Sequence, residues 1–479
     1  MIRIPKAVLV PMIVACALFM ENMDSTVIAT SLPTIARDLN EDPIALKLAL
    51  TSYLVSLAVF IPISGWMADR FGARKVFRSA IAVFMGGSIL CALSGSLAGF
   101  VAARFVQGMG GAMMVPVGRL VVLRTTTKAE LVRSLSYLTI PALVGPVIGP
   151  PLGGFITTYF HWRWIFFINI PISIVGIVLA ARYIENLKEA DVKPLDWRGF
   201  ILSAVGLSSL MLGLATAGRH MVSASVSAAC VVGGGALVAT YLYLAKRNPH
   251  PLLNLDLLRL QTFRAGVLGG FLFRIGIGAI PFLLPLMLQL GFGLNSFESG
   301  LLTCASAAGA LFMKTIAAAI LRRFGFRRVL IVNAIATALS LMVIGMFTDT
   351  TPHMLIIAIL LVGGCLRSLQ FTSLNALSYA DIEQPNMSQA TSLASVVQQL
   401  AAGTGVTVGA FALQAASYLQ GHATVVAADF LPAFIVVGLV SASSLIILAS
   451  LPHHAGAAIS GHRQDKPADS GAGEAERAG

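Results

Sequence analysis

Glu21 and Asp24 stand three residues apart in the stretch ALFMENMDSTVIATSLP, residues 17–33. The run around them begins near Ala7 and is apolar enough to cross a membrane. A spacing of three puts both carboxylates on one face of a helix. A bare carboxylate in hydrocarbon costs about 2.5–3.5 kcal/mol even on the lenient insertion scale, so that face is expected to look into a polar cavity. An acid placed there can take up a proton on one side of a membrane and release it on the other. The competing expectation is structural: an intramembrane base, Arg104 or Arg274, neutralises the acids and the pair holds the bundle together.

Acids at that depth need helices that span. Of the 479 residues, 57% are hydrophobic and 11% charged, more apolar surface than a soluble chain of this length can bury. The formal charge of +12 does not indicate nucleic acid, because the bases sit in short loops between apolar runs. The five cysteines lie inside those runs without metal-ligand spacing, and the eight histidines form no cluster, so no cofactor or metal is expected. The N-terminus has the basic start and apolar middle of a signal peptide, but cleavage there would remove half of a run that carries the two acids. It is read as the first span.

About 20 apolar residues cross a hydrocarbon core. Runs between charged or Gly/Pro breaks number fourteen, at about 7–34, 46–68, 77–95, 98–124, 133–159, 163–183, 198–217, 222–245, 262–291, 297–321, 328–347, 353–379, 388–418 and 429–451. With the N-terminus in the cytoplasm, inside segments carry 24 Lys and Arg and outside segments 4, which places both termini inside. Residues 453–479 read as a disordered cytoplasmic tail.

RFGARKV at 70–76 returns as RFGFRRV at 323–329, an offset of 253. The same offset carries Gly110-Gly111 onto Gly363-Gly364 and Glu130 onto Glu383. Such a repeat marks a transporter of two six-helix halves related by an axis along the membrane normal. The expected division is a first half, 1–190, a linker with two inserted spans, 191–254, and a second half, 255–452.

Three further stretches carry chemistry. GWMADRFGARKVF, 65–77, falls at the turn between spans 2 and 3. Gly65 and Gly72 suit a tight approach, Asp69 is placed to cap the next helix or meet a neighbouring Arg, and Arg70, Arg74 and Lys75 suit an inner leaflet. Span 4 holds Arg104 and Gln107 beside Gly108, Gly110 and Gly111, small residues that let a neighbouring helix pack closely. GPVIGPPLGG, 145–154, puts prolines and glycines in mid-span 5, where a kinked helix with a flat packing face is expected.

With these residues the chain resembles a major facilitator superfamily transporter of the drug:proton antiporter group with fourteen spans, the EmrB/QacA type, and within it the MdtD-like proteins. The loop motif matches at Gly65, Met67, Ala68, Asp69, Arg70, Gly72 and Arg74. The span-4 motif matches at Arg104, Gln107, Gly108 and Gly110, and the antiporter motif at Gly145, Gly149, Pro150, Gly153 and Gly154. The span-1 motif matches at Asp24, Thr26, Leu32 and Pro33, with Ala29 and Ser31 departing from it. The second half has Arg322 where the first has Asp69, so two equivalent gates are not expected. The resemblance implies an all-α fold and alternating-access efflux of drugs or other amphipathic compounds, driven by proton entry across a bacterial inner membrane. It also implies Asp24 as proton carrier, Arg104 in the relay, Asp69 in a cytoplasmic gate, and 145–154 as a seal between halves. An enzyme is not expected. A monomer working on small molecules, protons and lipid is.

Five bases lie within spans: Arg104, Arg119, Arg274, Lys314 and Arg367. Arg119 and Lys314 are expected to reach toward headgroups, whereas Arg274 and Arg367 are too central. Five bases against two acids also suit a small organic anion, bound by Arg119, Lys314 and Arg367. Extending the offset back from residues 70–130 to Glu21 gives Arg274, which leads to the expectation that Glu21 or Asp24 faces Arg274 across the cavity and pairs with it in one conformation; the alternative is that Arg274 is held by polar groups of its own half.

Overall fold

Within hydrocarbon a backbone amide finds no water, so each apolar run must close its own hydrogen bonds as a helix. The computed structural model describes residues 6–41, 47–186, 188–189, 192–216, 223–294, 296–422, 425–452 and 455–460, and a helix covers every one of the fourteen runs. These are α1 (Lys6–Asp38), α2 (Lys47–Phe60), α3 (Ala73–Leu93), α4 (Leu97–Thr125), α5 (Leu131–Tyr159), α6 (Trp164–Tyr183) and α7 (Trp197–Thr216). They continue as α8 (Ala224–Ala245), α9 (Gln261–Gly291), α10 (Ser296–Phe324), α11 (Phe326–Gly345), α12 (His353–Ser378), α13 (Met387–Leu419) and α14 (Ala427–Leu448). After a short break α2 resumes as a second limb, Ser64–Phe71, bent by 57°.

Twelve helices of the described residues are long and apolar enough to cross a membrane, thirteen if the two limbs of α2 count as one span. The expected fourteen is not reached by that measure. The remaining run is α5, 29 residues long and unbroken despite its prolines. Expectations for Arg3, Arg219 and the tail from 461 onward lie outside the described residues. For residues 455–460 the disordered-tail expectation is corrected. Ala457–Ser460 form a short helix, and Ala455 and Ile459 are buried in the core against both repeats.

The repeat has a local geometric counterpart. Gly72 and Gly325, related by the offset, have φ of +94° and +72° at their turns, a region open mainly to glycine. Gly110 meets α3 where Gly363 meets α11, and Gly111 meets α2 where Gly364 meets α10.

Packing differs between the two ends of the bundle. At the end carrying Arg70, Arg124, Arg322 and Arg328, one hydrophobic core draws side chains from both repeats, among them Phe77, Leu120, Phe263, Phe326 and Leu393. At the opposite end there are two cores. One is confined to the first repeat around Ile28, Phe100 and Phe166, the other to the second around Leu284, Leu341 and Phe434. The repeats are thus joined at the basic end and separate at the other. α7 lies along the seam: Thr407 of α13 donates to the Leu214 carbonyl at 3.0 Å, and Leu207 and Met211 face Ala58 of α2 and Ile61 in the break after it. Only 17% of the α8 span is buried, as suits a helix against lipid.

Candidate functional site

The helix spacing sets Glu21 and Asp24 near each other, but packing sends them to different partners. Asp24 is 1% exposed. It accepts from Arg104 Nη1 at 2.7 Å, Gln107 Nε2 at 3.0 Å and Asn169 Nδ2 at 2.8 Å. Gln107 and Asn169 also reach the Ser88 hydroxyl, at 2.8 and 3.1 Å. All of these belong to α1, α3, α4 and α6. The expectation that the face of both acids opens into a cavity is therefore corrected for Asp24, whose charge is compensated inside the first repeat, where a buried charge needs paired donors.

Glu21 is only partly buried and accepts from the Tyr53 hydroxyl at 3.3 Å through Oε1. Its Oε2 is enclosed and has no hydrogen-bond partner among the described residues. The Tyr53 ring lies under the Arg104 guanidinium, 4.4 Å from centroid to Cζ. Gly108 and Gly111 make this possible: a Cβ at Gly108 would meet the Tyr53 carbonyl at 2.9 Å, and one at Gly111 would meet the Tyr53 hydroxyl at 2.7 Å. Tyr53, Ser88 and Asn169 escaped the sequence reading, although a polar side chain deep in an apolar run is itself a signal.

The loop motif makes a contact between repeats. Asp69 accepts from Arg124 Nη2 at 3.1 Å and from the Ser388 hydroxyl of α13. Arg124 also meets Glu189 at 2.7 Å. Asp69 does not cap the next helix; of the two expectations it meets the second, its Arg coming from the end of α4. Gly65 has the Ser388 carbonyl 2.7 Å from its would-be Cβ, and Ser64 and Ser392 share a hydroxyl contact of 3.0 Å. Arg70 is exposed, and Arg74 donates to the Ile184 carbonyl at 3.4 Å.

Gly145 and Gly149 of α5 face α1, not the second repeat. A Cβ at Gly145 would meet the Met23 amide and the Phe19 carbonyl, both at 3.0 Å, while Gly149 abuts Thr26. Gly153 is buried, and no atom of the described residues lies within 4 Å of a Cβ at Gly154; the Pro150 side chain lies outside what is described. In this conformation the motif is a seat for the helix that carries the acids.

Neither Arg119 nor Lys314 reaches for headgroups; both are buried. Arg119 crosses to the second repeat, donating to Tyr379 Oη at 3.3 Å and Gln398 Oε1 at 3.2 Å. Lys314 donates to Thr372 Oγ1 at 2.5 Å, and Arg274 to Asn375 Oδ1 at 3.0 Å. Arg274 also stacks over Phe371 at 5.0 Å. Arg119, Lys314, Thr372 and Asn375 line one small cavity of about 40 Å³ between the repeats. Arg367 stands apart, donating to the Ser306 hydroxyl at 2.6 Å. None of these four bases has a carboxylate partner among the described residues, and Glu21 and Arg274 are not paired here.

The Major Facilitator Superfamily model matches residues 14–260 and 266–474. The protein named multidrug resistance protein MdtD in Salmonella newport is 39% identical over 401 residues, 84% of this chain and 85% of its own length. Its namesake in Salmonella typhimurium matches with the same identity and coverage. Among solved structures, the human organic anion transporter MFSD10 superposes with a TM-score of 0.65 at 14% identity, covering 93% of this chain and all of its own. The proton:xylose symporter XylE does so with a TM-score of 0.65 at 13% identity, covering 94% and 97%. At such identities the structures speak for the fold alone, while the family model and the MdtD relatives span most of the chain. This multi-pass membrane protein belongs to the major facilitator superfamily, as a transporter and not an enzyme.

Proposed function

We propose that the protein exports drugs or other small amphipathic compounds across a bacterial inner membrane by alternating access, in exchange for protons. The observation that carries the coupling is Glu21: a carboxylate at membrane depth with one oxygen that has no hydrogen-bond partner among the described residues, beside a buried Asp24–Arg104 pair. Such a group can bind a proton without dismantling the fold, and its charge state acts directly on the pair next to it. The Lys/Arg distribution supports the basic end, with both termini, as cytoplasmic. On that orientation the shared core at the basic end and the divided cores opposite correspond to an outward-facing form. Asp69, Arg124 and Ser388 then hold the cytoplasmic end shut. The halves 1–190 and 255–452 are the moving bodies, with α7 and α8 an insertion between them, and the working unit is a monomer. The names of the Salmonella relatives support drugs as cargo. In inverted vesicles with an acid interior, labelled cargo should accumulate and collapse of the pH gradient should release it. Gradient-independent uptake would overturn proton exchange.

A second reading has its own observation. Lys314 and Arg274 donate to Thr372 and Asn375, which line one cavity with Arg119, and none of the three bases has a carboxylate partner among the described residues. Three such cations favour a small organic anion as cargo. A panel of hydrophobic cations and organic anions in the same vesicles separates the two: transport confined to anions, and lost in Lys314→Met, selects the second.

A further inference from the structure

One side chain touches both acid systems. Tyr53 of α2 is 4% exposed. Its hydroxyl donates to Glu21 at 3.3 Å, and its ring carries the Arg104 guanidinium at 4.4 Å. Arg104 in turn holds Asp24 at 2.7 Å. No hydrogen-bond donor among the described residues is shared directly by Glu21 and Asp24. The geometry around the tyrosine is narrow on every side. Ser56, one helical turn along α2, donates to the Phe105 carbonyl at 2.7 Å and so fixes α2 against α4. The bare Cα of Gly111 leaves room for the hydroxyl and the carboxylate to meet, since a Cβ there would lie 2.7 Å from the first and 3.4 Å from the second.

We propose that Tyr53 is a positioning residue that transmits the protonation state of Glu21 to the Arg104–Asp24 pair. The inference rests on the proton-exchange reading above. An ionised Glu21 is a strong acceptor and holds the hydroxyl, which keeps the ring flat beneath the guanidinium. A protonated Glu21 is a weaker acceptor that needs a partner for its own proton. The hydroxyl is then released to turn, the ring follows, and Arg104 loses the π-face that helps to hold it over Asp24. The charged and titratable groups around this arrangement are Glu21 and Asp24 from α1, Tyr53 from α2, Cys91 from α3 and Arg104 from α4. Asn22, Gln107, Ser88 and Asn169 complete it as polar neighbours. No proton needs to pass through the phenol; the tyrosine works by direction of its hydroxyl and position of its ring.

The test uses the intact protein in proteoliposomes with an imposed pH gradient, reading initial rate against pH and thermal unfolding in parallel. Tyr53→Phe keeps the ring and removes the hydroxyl. It should leave the unfolding temperature near wild type and displace the midpoint of the pH–rate profile by about one pH unit, the scale on which a hydrogen bond biases a carboxyl group. Tyr53→Leu removes the ring as well and should lose transport. In a Glu21→Gln background, Tyr53→Phe should have no further effect on rate, because the contact it removes is already changed. Infrared difference spectra should show the carboxyl stretch assigned to Glu21 moving in Tyr53→Phe, which a merely structural ring would not cause. A wild-type pH profile in Tyr53→Phe, an unmoved carboxyl band, or independent effects of the two substitutions would each overturn the inference. If the wild-type protein itself ignores the pH gradient, the proton-exchange reading fails and this inference with it. Gradient-driven transport that is indifferent to Tyr53→Phe sinks the tyrosine alone.

Discussion

Asp24 and Arg104 form an ion pair closed to solvent, Oδ2 to Nη1 2.7 Å, between the first and fourth helices of one repeat. Breaking one side of such a pair strands a buried charge, at a cost of about 3–5 kcal/mol. Arg104→Ala should therefore lower the unfolding temperature in detergent sharply. Asp24→Asn should abolish proton-driven transport and also lose stability, since Arg104 would face a neutral amide. Wild-type melting in both variants would show that the pair is not structural; wild-type export by Asp24→Asn would remove Asp24 from coupling.

Asp69 and Gly65 act on the other end. Asp69→Asn weakens the bonds to Arg124 and Ser388, so transport should slow several-fold while equilibrium binding of cargo persists. Gly65→Val should do more, because its side chain would press on the backbone of α13, with the Ser388 carbonyl 2.7 Å from its Cβ. Spin labels on Lys75→Cys and Gln384→Cys in a cysteine-free background would report the separation of the repeats. Distances unchanged by Gly65→Val would contradict the placement of this glycine at the closing seam.

Glu21 and Arg274, related only by extending the offset of 253 back from residues 70–130, have separate partners, Tyr53 and Asn375. They are not paired in this conformation. The double variant Glu21→Arg with Arg274→Glu should recover more transport than either single change if they meet during the cycle. Purely additive losses would leave Arg274 as a base held by its own repeat.

At the end opposite the basic loops, Asp38 accepts from the Trp162 indole at 2.9 Å and from Arg163 at 2.9 Å. The indole donor first, and then Arg163, hold its carboxyl below the usual carboxylate range. A lowered value means stability that is present above the unfolded pKa of about 3.9 and is lost as pH falls through the folded value. Asp38 is 37% exposed, so the effect should be on the order of half a kcal/mol after solvent screening. Melting curves from pH 5 down to pH 3 should fall more steeply for wild type than for Asp38→Asn; parallel curves would show that the contact adds nothing.

The segment after α14 spans the seam at the basic end, with Ile459 buried and Gly456 set against Phe326 and Leu377. Ending the chain after Pro452 should loosen that end and raise the reactivity of an engineered Arg119→Cys toward a bulky thiol reagent. Equal reactivity with and without the segment would show that it does not brace the closed end.

The apolar runs by themselves determined where helices form, because in a bilayer an unpaired backbone amide has no alternative partner. The repeat of RFGARKV as RFGFRRV likewise fixed matching turns, since a positive φ at Gly72 and Gly325 is a local demand of the chain. Residue types were enough to name Asp24, Arg104, Asp69 and Gly145 as special, each being expensive or unusual at its depth. Arg104 was one of two bases expected to neutralise the acids, and it pairs with Asp24; the choice between that pair and an open cavity was not legible. Whether Asp24 faces a cavity or Arg104 depends on which helix lies beside α1, and that is settled by close approach at Gly108, Gly111, Gly145 and Gly149, all far from Asp24 in sequence. Arg119 illustrates the same limit: from its position a long base near a membrane surface is expected to reach for water, yet it reaches Tyr379 and Gln398, which only the packing of two repeats brings within its length. Helix formation is a property of one segment and its solvent, while pairing of buried charges is a property of several segments at once, and only the tertiary structure decides it.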